Sequence, residues 1–243
     1  MNRVRSNWAA QHWRRAAALA LTLAHLGLAP QAQAGRPLIT DDARLLDAQS
    51  CQVETWVRRS PQGSEYWALP GCNPTGNLEL TLGGARLNQG PNDSVFQVQA
   101  KTVFQTLESS RVSWGLAAGA TRAHPQGEAE AYAYVPFTWA ALPDRAFVHV
   151  NIGLRRDAAS HTTQRTWGLG LEGVITPRFA ILAEALSQER GRSLYHGGLR
   201  VFLVPDRVQF DATVGNRTGQ APGQGNERWF SFGIRLQTPP FLN

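Results

Sequence analysis

The sequence predicts an all-β protein, an antiparallel transmembrane β-barrel of about 12 strands. Three observations carry that prediction. From residue 50 onward the chain breaks into twelve short segments in which apolar and polar residues alternate, which gives each strand one apolar and one polar face. The connections between them read as alternately tight and longer, as in barrels with short periplasmic turns and longer outer loops. Aromatic residues gather at both ends of the apolar face, where the two membrane interfaces lie. Closing such a sheet lets the apolar face meet lipid with no unpaired backbone edge.

The first 34 residues stand apart from this pattern. Arg3, Arg5, Arg14 and Arg15 precede an apolar run from Ala16 to Ala29, and Ala32-Gln33-Ala34 has the small-x-small form of a signal-peptidase site. The run is about 14 residues, short of the roughly 20 that a helix needs to cross a bilayer. Residues 1–34 therefore read as a cleaved signal peptide, 35–49 as a periplasmic N-terminal tail and candidate plug, and 50–243 as the barrel. The formal net charge is +6. The four signal arginines, with no acid beside them, leave +2 on the rest, so the basic balance does not argue for nucleic acid. A mean hydropathy of −0.30 suits a barrel, in which half of each strand faces a polar lumen.

The segments fall near residues 50–59, 64–72, 77–87, 94–105, 111–121, 129–140, 145–155, 164–174, 178–188, 194–203, 207–216 and 227–237. An even number keeps both ends of the barrel on the periplasmic side. The first two fold about Ser60-Pro61-Gln62-Gly63, which sets Cys51 opposite Cys72, Trp56 opposite Trp67 and Arg58 opposite Glu65. Opposed Cβ atoms lie within about 4.5–5.5 Å, near disulfide reach, and an exported chain meets an oxidising compartment, so a Cys51–Cys72 bridge is expected. Two thiols without matching histidine spacing give no metal site. The fourth segment sets Phe96, Val98, Ala100, Thr102 and Phe104 against Gln97, Gln99 and Lys101. The seventh sets Ala146, Val148, Val150, Ile152 and Leu154 against His149, Asn151, Gly153 and Arg155, and the eleventh repeats the pattern.

Residues 72–76, 107–110, 142–144, 176–177 and 205–206 read as tight periplasmic turns, four of them containing proline, which presets a turn and cannot continue a central strand. Residues 88–93, 122–128, 156–163, 189–193 and 217–226 read as the longer outer loops. On the apolar face Phe104, Trp114, Trp139, Phe179 and Phe210 fall near the periplasmic ends, and Phe96, Trp167, Tyr195 and Phe230 near the outer ends.

The opposite face would line the lumen, with Glu54, Glu79, Lys101, Glu130, His149, Arg155, Glu172, Glu184, Arg200, Asp211 and Arg235. Their mixed signs form no single-sign ring of the kind that selects ions, and fit either an ion-pair network or a wetted channel. Gly83, Gly115, Gly119, Gly153, Gly168, Gly170, Gly198, Gly215 and Gly233 share that face and leave room, for a pore or for the tail. In the second case Asp41 and Asp42 would meet lumen arginines such as Arg200 and Arg235.

A catalytic reading fares less well. His124 and His161 fall in outer loops, and His149 and His196 point inward without a serine two residues away on their own face. A nucleophile needs a base within hydrogen-bond reach and a third group to orient it. The sequence has no phosphate loop, metal cluster or dinucleotide fingerprint, so no catalytic residue and no cofactor is expected. The expected partners are outer-membrane lipid, the barrel-assembly machinery and a small solute. Many barrels end on an aromatic residue that the assembly machinery reads, whereas this sequence ends Phe241-Leu242-Asn243.

Arg36-Pro37-Leu38-Ile39-Thr40-Asp41-Asp42-Ala43, followed by Cys51-Gln52-Val53-Glu54-Thr55-Trp56, resembles the opening of uncharacterised proteobacterial outer-membrane proteins. These are similar in turn to the transporter family associated with phenol-degradation pathways. The resemblance implies an outer-membrane barrel with a transport role, suggests hydrophobic aromatic solutes, and brings no catalytic residues.

Overall fold

The computed structural model describes residues 37–88, 92–125, 127–157, 161–189, 192–218 and 226–242. The predicted signal peptide and most of the last outer loop lie outside the described residues. Twelve strands follow in chain order: β1 (Ser50–Ser60), β2 (Gly63–Asn73), β3 (Leu78–Leu87), β4 (Ser94–Gln105), β5 (Val112–His124), β6 (Ala129–Leu142), β7 (Ala146–Asp157), β8 (Thr162–Thr176), β9 (Phe179–Glu189), β10 (Arg192–Val204), β11 (Val208–Arg217) and β12 (Glu227–Gln237). Each pairs antiparallel with its neighbours in sequence, and β1 pairs with β12 to close the barrel.

The first hairpin has the register that the alternation predicts, with Cys51 opposite Cys72, Trp56 opposite Trp67 and Arg58 opposite Glu65. Cys51 and Cys72 form a disulfide. The seam between β1 and β12 sets Glu54 against Arg235. Beyond β12, Thr238 donates its amide to the Cys51 carbonyl at 2.8 Å, and Phe241 and Leu242 both donate to the Gln49 carbonyl at 2.8 and 3.0 Å. The last residues thus brace the start of β1.

Apolar side chains cover the outside. Leu82, Phe96, Phe104, Ile152, Leu154, Trp167, Tyr195, Val214 and Phe232 are all exposed there, whereas Glu79, Lys101, His149, Glu172, Glu184, Arg200, Asp211 and Arg235 are buried within. A chain with this inversion can satisfy its surface only in an apolar solvent, which is what a bilayer supplies. Of the predicted girdle, Phe179 alone is only partly exposed. Tyr66 and Phe137 join the exposed set.

Two of the periplasmic turns share one construction. In Leu142-Pro143-Asp144-Arg145 and Val204-Pro205-Asp206-Arg207 the aspartate has φ of 58°, and the arginine amide donates back to the residue before proline at 3.0 and 3.1 Å. Aspartate is among the few side chains that tolerate this left-handed conformation. The carbonyls of Arg111, Arg145, Arg178 and Arg207 then each accept an amide from the next hairpin, at 2.7–3.0 Å.

The outer connections depart from the expectation. β5 runs on to His124, β8 begins at Thr162 and β9 reaches Glu189, so residues 125–128 and 190–191 suffice where longer loops were expected. Polar, glycine-containing sequence marks where strands leave the apolar layer, but the ladder continues past that level because a neighbour is still there to pair with. On the periplasmic side residues 106–111 form a longer turn than expected.

Candidate functional site

The lumen is crossed by the chain's own N-terminal segment. Residues 37–47 run from the β9 wall to the β2–β3 wall, and their backbone is held by side chains of six strands. Leu46 donates its amide to Glu79 of β3 at 3.0 Å, and its carbonyl accepts from Asn73 of β2 at 2.6 Å. Ala43 donates to Thr138 of β6 at 2.9 Å and accepts the Ser113 hydroxyl of β5. Asp41 makes a reciprocal pair with the Asn151 side chain of β7, at 2.7 and 2.8 Å. Ile39 and Thr40 donate to the two carboxylate oxygens of Glu184 in β9, both at 2.9 Å. A segment without its own sheet must satisfy its backbone in this way once it leaves water.

Its side chains complete the fit. The Lys101 ammonium lies 3.1 Å from Asp41 and 3.8 Å from Asp42, and the Tyr134 hydroxyl donates to Asp41 at 2.8 Å. The Arg44 guanidinium stacks 4.5 Å above the Phe147 ring. Ile39 packs on the buried cluster of Leu186, Leu194 and Trp229. Asp41 and Asp42 therefore meet Lys101 and not, as charge matching alone suggests, Arg200 and Arg235. Arg200 instead ion-pairs with Glu172 at 2.9 Å, with His149 Nε2 3.7 Å from the same carboxyl, and all three are inaccessible to solvent. The tail itself lies inside the lumen.

The inward glycines leave less open space than they promise. A Cβ on Gly168 would lie 2.5 Å from the Thr40 hydroxyl, and one on Gly215 only 2.1 Å from the Trp229 ring. Their space belongs to the tail and to neighbouring aromatic rings. Gly168→Val should therefore displace the tail. A Thr40→Cys side chain, buried in the native arrangement, should then react with a water-soluble thiol reagent, and continued protection in the Gly168→Val background would contradict this contact.

Beside the tail remains a cavity of about 510 Å³. It is bordered toward the outer rim by Trp56, Trp67, Tyr132, Arg155 and Arg217, and it reaches Glu54 and Arg235 along the β1–β12 wall. The Trp56 and Trp67 rings stack with centroids 5.1 Å apart. Three arginines at this mouth each face a carboxylate: Arg58 pairs with Glu65, Arg155 with Glu130, and Arg217 with Glu227. The mouth is thus polar and aromatic with its charges matched locally. Tyr132, Tyr134 and Thr138, absent from the predicted lumen set, share the face of Glu130, and simple parity could have found them.

One cluster has the order of a catalytic triad. His196 donates from Nδ1 to Glu184 at 2.7 Å, its Nε2 meets the Thr213 hydroxyl at 2.6 Å, and Thr213 meets Ser231 at 2.6 Å. The sequence reading missed it because the partners lie on neighbouring strands and not on the histidine's own. Thr213 is buried and shared between two partners, and Glu184 also binds two tail amides, so the cluster braces the tail against the wall.

The family model described as "Uncharacterised conserved protein UCP029691" matches residues 21–238. The chain belongs to that family. No curated protein matches this member of UCP029691. Among solved structures, the barrel is similar to the KdgM porin in complex with disordered oligogalacturonate, with a TM-score of 0.61 and 9% identity over 76% of this chain and 98% of that one. The NanC porin gives 0.57 and 12% over 76% and 98%. Omp33 of Acinetobacter baumannii, an outer membrane protein, gives 0.52 and 8% over 78% and 98%. At these identities the likeness establishes for this UCP029691 member the fold of outer-membrane porin barrels.

Proposed function

We propose that this UCP029691 protein is an outer-membrane channel for small solutes whose passage is narrowed by its own N-terminal segment. The observation that carries the reading is the polar, aromatic cavity beside a tail held by hydrogen bonds and ion pairs and by no covalent link across the lumen. The apolar exterior and the porin-like fold support the location. Locally paired charges at the mouth favour uncharged solutes over ions of either sign. Kinship with transporters of phenol-degradation pathways, and hence an aromatic solute, rests on the N-terminal motif alone.

Liposome swelling tests the reading. Vesicles carrying the exported protein should admit small neutral sugars slowly, and removal of residues 36–47 should speed their entry severalfold. A demonstrably folded barrel that admits no solute in either form would overturn it in favour of a closed barrel with a structural or surface-binding role.

A further inference from the structure

The outer ends of the strands carry arginines on the lipid-facing side. Arg59, Arg86, Arg122, Arg156, Arg165 and Arg228 are all exposed, and their strand parity matches that of the outward Leu82, Phe96, Leu154, Trp167 and Phe230. Among the described side chains, no Asp or Glu shares this face in the outer half of any strand. The periplasmic rim is different. Its Arg111, Arg145, Arg178 and Arg207 sit in turns, accompanied by Glu108, Asp144 and Asp206.

Two of the six stand out by their surroundings. Arg59 lies opposite Phe230 in the β1–β12 ladder, which makes Arg228 its diagonal neighbour, about 7–8 Å away by strand geometry. Together they edge an open crevice of about 890 Å³ whose lipid-facing floor is formed by Tyr195, Gly197, Val214 and Phe230. Arg86, by contrast, lies within electrostatic reach of Asp93, whose carboxyl is held below its usual range by the Ser94 hydroxyl, by Arg86 and by His124. Arg122 is engaged with the Gly127 carbonyl at 3.4 Å. Among the described residues neither Arg59 nor Arg228 has an ion-pair partner.

We infer that the Arg59–Arg228 crevice is a seat for a phosphorylated glycolipid of the outer leaflet. The two guanidiniums take a headgroup phosphate, and an acyl chain lies along Tyr195, Val214 and Phe230. Arginine forks suit phosphate because they offer paired N–H donors in a plane and stay charged at any physiological pH. Gly197 presents no side chain to the lipid, which deepens the wall beneath the pair. The occupant is anionic because the crevice lip carries two cations, while the carboxylate in the lining, Glu184, is buried on the lumen side and engaged by His196 and the tail amides. It is a lipid because the floor is apolar and lies in the same belt as the bilayer-facing aromatics.

The inference rests on the outer-membrane reading above, and one experiment separates the two. Protein purified from membranes is titrated in micelles with fluorescently labelled bisphosphorylated lipid A, and its insertion into vesicles is checked by flotation. Arg59→Gln combined with Arg228→Gln should weaken binding by about tenfold or more, the scale of losing two charge-assisted contacts. Arg59→Lys with Arg228→Lys should lose less. Val214→Trp, at an exposed position, should weaken binding by filling the crevice without touching a charge. Arg111→Gln should leave it unchanged. Equal affinity for lipid A stripped of its phosphates, or an unaltered Gln variant, would overturn the site while leaving the membrane reading intact. Failure of the folded native protein to float with vesicles would instead overturn the membrane reading.

Discussion

Arg200→Met is expected to destabilise the barrel by about 3–5 kcal/mol, the cost of removing one partner from a buried ion pair. Arg200 and Glu172 are sealed from solvent in the lumen wall, 2.9 Å apart, and the second carboxylate oxygen of Glu172 lies 3.7 Å from His149 Nε2. Without the guanidinium the carboxylate must either take a proton or draw water into a packed site. Combining Arg200→Met with Glu172→Met should recover most of the loss, since well-packed apolar replacements of both partners are often neutral. Urea unfolding in micelles, followed by loss of strand circular dichroism, measures both variants. A single variant as stable as the native protein would show that this part of the wall is hydrated.

The second large effect should follow from Lys101→Met. Lys101 is the cation that both tail aspartates meet, and Asp42 is buried. Its loss leaves two carboxylates side by side in the lumen, Asp41 with the Tyr134 hydroxyl at 2.8 Å and Asp42 with the Arg44 amide at 3.2 Å. The penalty is again about 3–5 kcal/mol, but here the molecule can escape it by releasing the tail. The expected result is a barrel of near-native stability whose tail is cut by added protease. Adding Asp41→Asn and Asp42→Asn should restore protection. An intact tail in the Lys101→Met protein would mean that backbone hydrogen bonds to Glu79, Thr138, Asn151 and Glu184 suffice.

Period-two alternation made the strand number, the first hairpin's register and the disulfide legible, because a slip of one residue would turn Tyr66 inward and Trp56 and Glu65 toward lipid. Alternation also separates inward from outward residues, and so puts Glu184, Glu172 and Arg200 on the polar face. It carries no information on depth or on distant partners. Lys101 and Arg235 are both lumen cations, and only the path of residues 37–47 decides that the first meets Asp41. Strand ends were hard to read for a related reason: His124 and Thr162 stay in the ladder because a neighbour pairs with them, whatever their polarity. The glycines misled because an absent side chain looks like free volume until the neighbour that fills it, Thr40 or Trp229, is known.

Single-channel conductance in planar bilayers tests the central claim most directly, by comparing the exported protein with the form lacking residues 36–47. The tail as a constriction predicts small or infrequent steps for the first and larger, steady steps for the second. Identical conductance from two equally folded forms would contradict it, and would place the limiting constriction in the barrel wall.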